Sequence, residues 1–311
     1  MKVIKNNSIP FDVCSELKSS VTLGTFDGVH IAHRQILRKL IKEADKRGNE
    51  AVVVTFDRHP SAVLQPEYSP KKLTTLEEKL EIFDKTGVNL TYVIHFTKQI
   101  AEMSAEKFIR DYLIDYLGMN HLIVGYDHGF GKKREGSIQT LSKLSKKINF
   151  TLDIQEPIIY NGMVVKSSNI RAQLEEGNVE FASELLGKDY SFIGEVLRGQ
   201  GIGKKIGVPT ANIAVKDIEK IVPTSGVYAG WIEFDCHKRE IVVSIGPKPT
   251  FNKYEEYIEA HILDFNKDLY GKEIRIGFNR RLRNIIKFDT RQALVNQIKK
   301  DIENLKQNIP I

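Results

Sequence analysis

Two histidines three positions apart, His30 and His33, lie in the run Leu23-Gly24-Thr25-Phe26-Asp27-Gly28-Val29-His30-Ile31-Ala32-His33. At the start of a helix this spacing turns both imidazoles the same way. Where a strand ends and a helix begins, unpaired backbone N–H groups already favour an anion. Such a pair can jointly hold a triphosphate. The same residues also fit two structural histidines or half of a zinc site. The other candidate zinc ligands, His59, His95, His121 and His128, stand at no recognisable metal spacing, so phosphate is the favoured reading.

A second run is richer: Arg198-Gly199-Gln200-Gly201-Ile202-Gly203-Lys204-Lys205-Ile206-Gly207-Val208-Pro209-Thr210-Ala211-Asn212. Closely spaced glycines with lysines among them make a loop whose amides can cradle phosphates. It is neither a P-loop nor a Rossmann loop, because Lys204 stands where the latter needs its last glycine. Taken alone, such a run is more often a flexible turn. Pro209-Thr210-Ala211-Asn212 changes the balance: a hydroxyl and an amide oxygen are hard ligands suited to Mg2+. Farther on, strand alternation over Tyr257 to Phe265 puts Tyr257, Glu259, His261 and Leu263 on one face. That face is either plain exposed surface or a site in which Glu259 accepts the proton of an attacking hydroxyl.

These groups need two scaffolds. At 311 residues the chain exceeds the usual size of one core. Val21 to Thr25, Ala51 to Phe56, Tyr92 to Phe96, Leu122 to Gly125 and Phe150 to Ile154 read as buried strands. Between the first two, Ile36, Leu37, Leu40, Ile41 and Ala44 recur at helical spacing and Gly48 marks the helix end. Ser104 caps a second amphipathic stretch carrying Phe108, Ile109, Tyr112 and Leu113. This alternation predicts an α/β domain on a parallel sheet. It ends in a short helix with Asn178 as cap and Gly187 as stop, which places the boundary near residues 187 to 190. Beyond it, Phe192 to Leu197, Val227 to Phe234, Ile241 to Ile245, Tyr257 to Leu263 and Ile274 to Phe278 read as evenly spaced strands. Without helices between them they predict an antiparallel barrel, followed by a helix over Arg291 to Leu305.

Three further stretches share the strand-end position of the histidine run: Thr55-Phe56-Asp57-Arg58-His59-Pro60, Val124-Gly125-Tyr126-Asp127-His128-Gly129-Phe130-Gly131 and Lys166-Ser167-Ser168-Asn169-Ile170-Arg171. Together the four resemble the FMN adenylyltransferase half of the bacterial bifunctional FAD synthetases, which are nucleotidylyltransferases with a Rossmann-like sheet. The resemblance implies that His30 and His33 bind ATP phosphates, that Ser167, Ser168 and Arg171 stabilise the triphosphate, and that Gly24, Phe26, Asp27, His59 and Asp127 line the nucleotide and flavin site. The FMN phosphate would attack the α-phosphorus of ATP directly, which agrees with the lack of a nucleophile triad in the sequence. Three positions depart from the family pattern: Ala32 replaces a glycine between the histidines, His128 replaces a phenylalanine, and Lys166-Ser167-Ser168 replaces Ser-Ser-Thr.

The second module resembles riboflavin kinase through an ordered series of motifs. These are the glycine loop with Pro-Thr-Ala-Asn, Gly226-Val227-Tyr228-Ala229, Ile245-Gly246-Pro247-Lys248-Pro249-Thr250-Phe251, Glu259 to Phe265, and Asp268-Leu269-Tyr270-Gly271-Lys272. The resemblance implies a small antiparallel six-stranded β-barrel with a C-terminal helix. It also implies that Thr210 and Asn212 hold the Mg2+ of MgATP, that Gly199, Gly201, Gly203, Lys204 and Gly207 cover the phosphates with Tyr228 in the ligand site, and that Glu259 activates the riboflavin 5′-hydroxyl. Residues 1–187 and 188–311 are thus expected to be an FMN adenylyltransferase and a riboflavin kinase. Riboflavin, FMN, FAD and ATP would be substrates and products.

Two competing readings are a kinase whose first module has lost adenylyl transfer, and a flavin-responsive nucleic-acid-binding regulator. A net charge of +6 and a pI near 9.0 suit phosphorylated substrates and nucleic acid alike. No recognition-helix motif, aromatic RNA-binding signature or basic tail supports the regulator. No apolar stretch approaches the ~20 residues of a bilayer span. Residues Met1 to Asp12 lack a signal-peptide core, so a cytoplasmic chain starting at Met1 is expected. The two cysteines, Cys14 and Cys236, are expected to be buried thiols.

Overall fold

The valine-rich and isoleucine-rich runs of the first half form strands covered on both faces, as parallel strands require. The computed structural model describes residues 1–6, 17–132, 135–199, 203, 207–247 and 256–307. Backbone contacts divide the chain into two units, Met1–Ser167 and Ser168–Ile311. In the first, β1 (Lys2–Asn6), β2 (Ser19–Leu23), β3 (Glu50–Phe56), β4 (Leu90–Ile94), β5 (Met119–Gly125) and β6 (Thr151–Gln155) form one sheet, ordered β1-β4-β3-β2-β5-β6 and parallel throughout. The sequence reading lacked β1, an edge strand whose Val3 is 39% exposed and which therefore carries no apolar run.

The α-helices of this unit are α1 (Ile31–Arg47), α2 (Pro60–Leu64), α3 (Leu76–Asp84), α4 (Lys98–Glu102), α5 (Ala105–Phe108), which continues as a π-helical stretch over Ile109–Tyr116, and α6 (Ile138–Lys147). Alternation along β3 sends Val52, Val54 and Phe56 to one core with Phe108, Tyr112 and Leu113, and Ala51 and Val53 to the other with Leu37, Leu40 and Phe83. Gly48 closes α1 at φ +64°, and the Ser104 hydroxyl accepts from Lys107 N at 3.2 Å, as the sequence predicts. From β2 the chain runs outward through β3 and β4, then resumes on the other side of β2 with β5. The crevice of such a switch point opens beyond the C-terminal end of β2, where α1 begins. A small hairpin, β7 (Ile159–Tyr160) with β8 (Met163–Val164), precedes the second unit.

That unit holds α7 (Ser167–Glu176) from its second residue, α8 (Val179–Leu186), β9 (Tyr190–Leu197), β10 (Ala211–Val215), β11 (Gly226–Phe234), β12 (His237–Pro247), β13 (Glu256–Ile262), β14 (Glu273–Arg283) and α9 (Arg291–Gln307). The strands close into an antiparallel barrel in the order β10-β13-β12-β11-β14-β9. Its interior is filled by Tyr190, Phe192, Tyr228 and Phe278, with the Tyr228 and Phe278 rings edge to face at 5.5 Å. Helix α9 buries Leu305 against Val227, Ala229, Val242 and Leu263, and its Asp301 accepts from Arg283 Nη2 at 2.7 Å.

Three local expectations are revised. β10 is a strand where the sequence suggests only the tail of the Pro-Thr-Ala-Asn loop motif. Asn178 does not cap α8 with its side chain; its amide donates to Gln173 and Glu176 instead. Cys236 is exposed, not buried: with Asp235 it makes the two-residue turn between β11 and β12, both at positive φ, so its thiol points off the hairpin tip. Cys14 lies outside the described residues.

Candidate functional site

In the first unit, the turn from β2 into α1 carries Phe26 at φ +50°, Gly28 at +85° and Val29 at +40°. These left-handed residues swing the chain so that His30 becomes the N-cap of α1, its Nδ1 accepting from His33 N at 3.4 Å. The two imidazoles stack with centroids 3.6 Å apart and planes 16° apart. Burial of the ring, then the neighbouring His30 and Lys79, hold the His33 imidazole well below its ordinary pKa. Its Nδ1 is sealed from solvent without a hydrogen-bond partner. Ala32 takes the second helical position, where a Cβ imposes no backbone strain.

The turn is clamped from below. Asp27 accepts from Leu73 N at 3.0 Å and from Thr74 N at 3.0 Å, while Gly28 N donates to Thr74 Oγ1 at 2.9 Å. Ser167 Oγ donates to the Asp27 carbonyl at 2.9 Å, tying the end of the unit to the same turn. Gly24 leaves β2 with its N–H on Val54 O, and Phe26 packs edge-on to His33 at 5.1 Å. The C-terminal ends of β2 and β3 border a cleft lined in part by Thr25, Asp27, Arg58, His59, Lys72 and Lys79. His59 caps α2 through Ser61 N at 3.2 Å. Burial alone would raise the Asp57 carboxyl, but hydrogen bonds from Phe96 N at 3.0 Å and with His95 Nδ1 at 2.6 Å hold it below its ordinary value.

Asp127 sits in the turn after β5, closed by His128 N on Gly125 O at 3.1 Å. Lys166 lies with its ammonium 5.4 Å from the Tyr126 ring centre, and the neighbouring Tyr126 raises its pKa. Ser168 and Arg171 stand in the first turns of α7, in the second unit. Sequence reasoning missed Lys72, Thr74 and Lys79. Nothing in their spacing marks them, because they reach the cleft only through the return of the chain into α3.

In the second unit, β10 and β13 pair so that Asn212 stands opposite Glu259, with Ser244 opposite Glu259 on its other side. The Tyr257 hydroxyl donates to Asn212 Oδ1. Burial, then a hydrogen bond with Glu259, pushes the Tyr257 phenol up to about 12. His261 Nδ1 lies 2.8 Å from the Pro209 carbonyl, fastening the segment before Thr210. Two glycines of the run lie against this face: a Cβ at Gly199 would fall 1.6 Å from Asn212 Nδ2, and one at Gly203 would fall 2.9 Å from Thr210 Oγ1. Gly207 has φ +80°. Gly201 and Lys204 lie outside the described residues. Tyr228 is not brought to this face. It pairs with Val243, which pairs with Ala260, so it points into the barrel, and its hydroxyl donates to Thr224 O at 2.5 Å. Thr210, Asn212 and Glu259 therefore offer three hard oxygen donors, with Gly199 and Gly203 close beside two of them because neither carries a side chain.

Family models agree with both halves: FAD synthetase matches residues 14–169 and riboflavin kinase residues 186–309. A bifunctional riboflavin kinase/FMN adenylyltransferase of Listeria monocytogenes serovar 1/2a is 35% identical, covering 97% of this chain and 96% of its own. The protein of that name from Bacillus subtilis strain 168 is 36% identical, covering 92% and 91%. A crystal structure described as a macrolide-efflux protein from Streptococcus pneumoniae aligns over 100% of both chains with a TM-score of 0.90 at 30% identity.

Proposed function

The chain belongs to the bifunctional riboflavin kinase/FMN adenylyltransferase family, and we propose that Glu259, Thr210 and Asn212 carry its kinase step and His30 and His33 its adenylyl step. The enzyme phosphorylates riboflavin to FMN with ATP and transfers AMP from a second ATP to FMN, giving FAD and diphosphate.

The cross-strand pairing of Asn212 with Glu259 carries the kinase assignment. Glu259 takes the proton of the ribityl 5′-hydroxyl as that oxygen bonds to the γ-phosphorus and the bond to ADP breaks. Thr210 and Asn212 fit Mg2+, since both present hard oxygens and Gly199 and Gly203 keep the space beside them free of a Cβ. Bound there, Mg2+ would offset the charge of the phosphates. Gly201, Lys204 and Gly207 complete the cover of the phosphates in this assignment.

In the first module an oxygen of the FMN phosphate attacks the α-phosphorus and diphosphate leaves. A neutral His33 keeps one N–H to donate to a phosphate oxygen, and the cap position of His30 sets it at the positive end of α1. Ser167, Ser168 and Arg171 are assigned to the triphosphate, and Gly24, Phe26, Asp27, His59 and Asp127 to the nucleotide and flavin site. Because Asp27 already accepts from the 73–74 amides, its part is to hold the turn. We assign the two functions to residues 1–187 and 188–311, and place the enzyme in the cytoplasm with small-molecule partners and no nucleic acid. No described helix is long and apolar enough to cross a membrane.

The test is to incubate the protein and its Glu259→Gln and His30→Ala variants with riboflavin and MgATP, and separately with FMN and MgATP, resolving FMN from FAD over time. Loss of only the first product in one variant and only the second in the other is expected. FMN formation by Glu259→Gln at the wild-type rate would remove Glu259 from its role.

A further inference from the structure

Lys79 enters the first unit from α3 and is 7% exposed, with no carboxylate among the described residues in hydrogen-bonding contact. Its ammonium donates to Thr25 O at 3.1 Å, to Phe56 O at 3.1 Å and to Thr55 Oγ1 at 3.4 Å. Thr25 opens the turn that ends on His30, and Phe56 ends the strand that leads to Arg58 and His59. One buried cation thus joins a carbonyl of the turn after β2 to the last carbonyl of the neighbouring strand β3, at the edge of the cleft it lines. The charged groups around it are Asp27 on the β2–α1 turn, Asp57 after β3, Lys72 before α3, Glu77 on α3 and His33 on α1. A neutral polar side chain could satisfy a carbonyl at this depth far more cheaply than a desolvated ammonium. The charge is therefore the feature to explain.

We propose that Lys79 is a positioning residue for adenylyl transfer, its buried ammonium locking the turn that delivers His30 and His33 against the end of β3. The proposal rests on the assignment of that histidine pair to the ATP phosphates. As a cation it also adds to the positive field of the cleft, where the triphosphate is to lie. Burial lowers the Lys79 ammonium to about 8, so the lock opens in an accessible range. Above that value the nitrogen keeps two N–H groups for three acceptors and loses its charge.

The test measures FAD formation from added FMN and MgATP from about pH 6.5 to about pH 9.5, for wild type, Lys79→Met, Lys79→Arg and His30→Ala, with riboflavin phosphorylation by the same samples as the control. Wild-type FAD formation should fall through a limb near pH 8 that riboflavin phosphorylation does not share. Lys79→Met should lose kcat for FAD formation about 100-fold, the scale of a 1 Å misplacement, and show no such limb. Lys79→Arg carries a charge that does not titrate. It should retain more FAD formation than Lys79→Met and lack the limb, which keeps the proposal testable if the methionine variant fails to fold. A wild-type limb persisting in either Lys79 variant, with His30→Ala inactive, overturns the proposal alone. Full FAD formation by His30→Ala overturns the histidine assignment beneath it, and the proposal with it.

Discussion

Asn212 on β10 lies directly across the ladder from Glu259 on β13, and the Tyr257 hydroxyl donates to Asn212 Oδ1. A proposed metal ligand and a proposed base are thus held by two strands of a closed barrel and not by a loop. Glu259→Gln keeps the shape and the hydrogen bonding but cannot take a proton. FMN formation should drop by roughly 10²–10⁴-fold, the range for a lost general base. FAD formation from added FMN should be unchanged, as followed by separating the two flavins.

The hydrogen bond to Asn212 makes a prediction about Tyr257. Asn212 Oδ1 accepts from the phenol, and that bond must be given up before the amide oxygen can serve Mg2+. One such bond is worth about 1 kcal/mol, or about fivefold in an equilibrium. In Tyr257→Phe, the Mg2+ concentration giving half-maximal FMN formation should fall by about that factor. A metal titration of the kinase rate reads it directly.

Two glycines of the phosphate loop should respond differently to alanine. At Gly199 a Cβ would lie 1.6 Å from Asn212 Nδ2, so either the loop or the amide must move. At Gly207 a Cβ meets nothing within 4 Å, and the cost is that of φ +80° for a non-glycine residue, about 1 kcal/mol. Gly199→Ala should therefore cut FMN formation and raise the Mg2+ requirement, whereas Gly207→Ala should lower the melting temperature slightly with most of the rate kept. Equal loss in both variants would show that the close approach to Asn212 is not what matters.

The histidine pair, the α/β pattern and the barrel strands were legible because each is written in local spacing. Gly48 and Ser104 sit where helices end and begin, and Ala51 to Phe56 is apolar on both faces. What was not legible depends on long-range placement. Alternation put Glu259 on a face with Tyr257, but nothing local says that Asn212, in a different strand, stands opposite it. Strand β10 is five residues long and has a partly exposed face with an asparagine, so it reads as the tail of a loop. Strand β1 is an exposed edge. Tyr228 belongs to a motif by position, yet its register turns it into the barrel. Lys72 and Lys79 look like surface lysines in sequence, and their chemistry comes from where α3 is packed.

His30 does two things that substitution can separate. Its Nδ1 caps α1 by a long 3.4 Å bond from His33 N, and its ring stacks on His33. Asparagine is a strong N-cap but has no imidazole. His30→Ala should cost about 1 kcal/mol of stability, while His30→Asn should restore it. Neither should make FAD at more than about a hundredth of the wild-type rate if the ring holds phosphate charge. A His30→Asn enzyme with normal FAD formation would mean that the cap alone is needed.

The buried ammonium of Lys79 also predicts how stability and activity part company above neutrality. Its folded pKa of about 8 lies below its ordinary 10.5, so between those values the unfolded chain binds more protons than the folded one. Stability contributed by this group therefore rises with pH across that window, by at most about 3 kcal/mol, and is constant below it. Other lysines and tyrosines titrate there too, but the difference between wild type and Lys79→Met isolates this group. Urea unfolding at about pH 7 and about pH 10 should show wild type gaining on Lys79→Met at the higher pH. The single tryptophan, Trp231, lies in β11 of the second unit, so its fluorescence reports the barrel while circular dichroism reports both units. The gain should appear in the dichroism transition and not in the tryptophan transition. FAD formation would then be falling over the range in which its module becomes harder to unfold, and the alkaline loss of activity could not be assigned to denaturation.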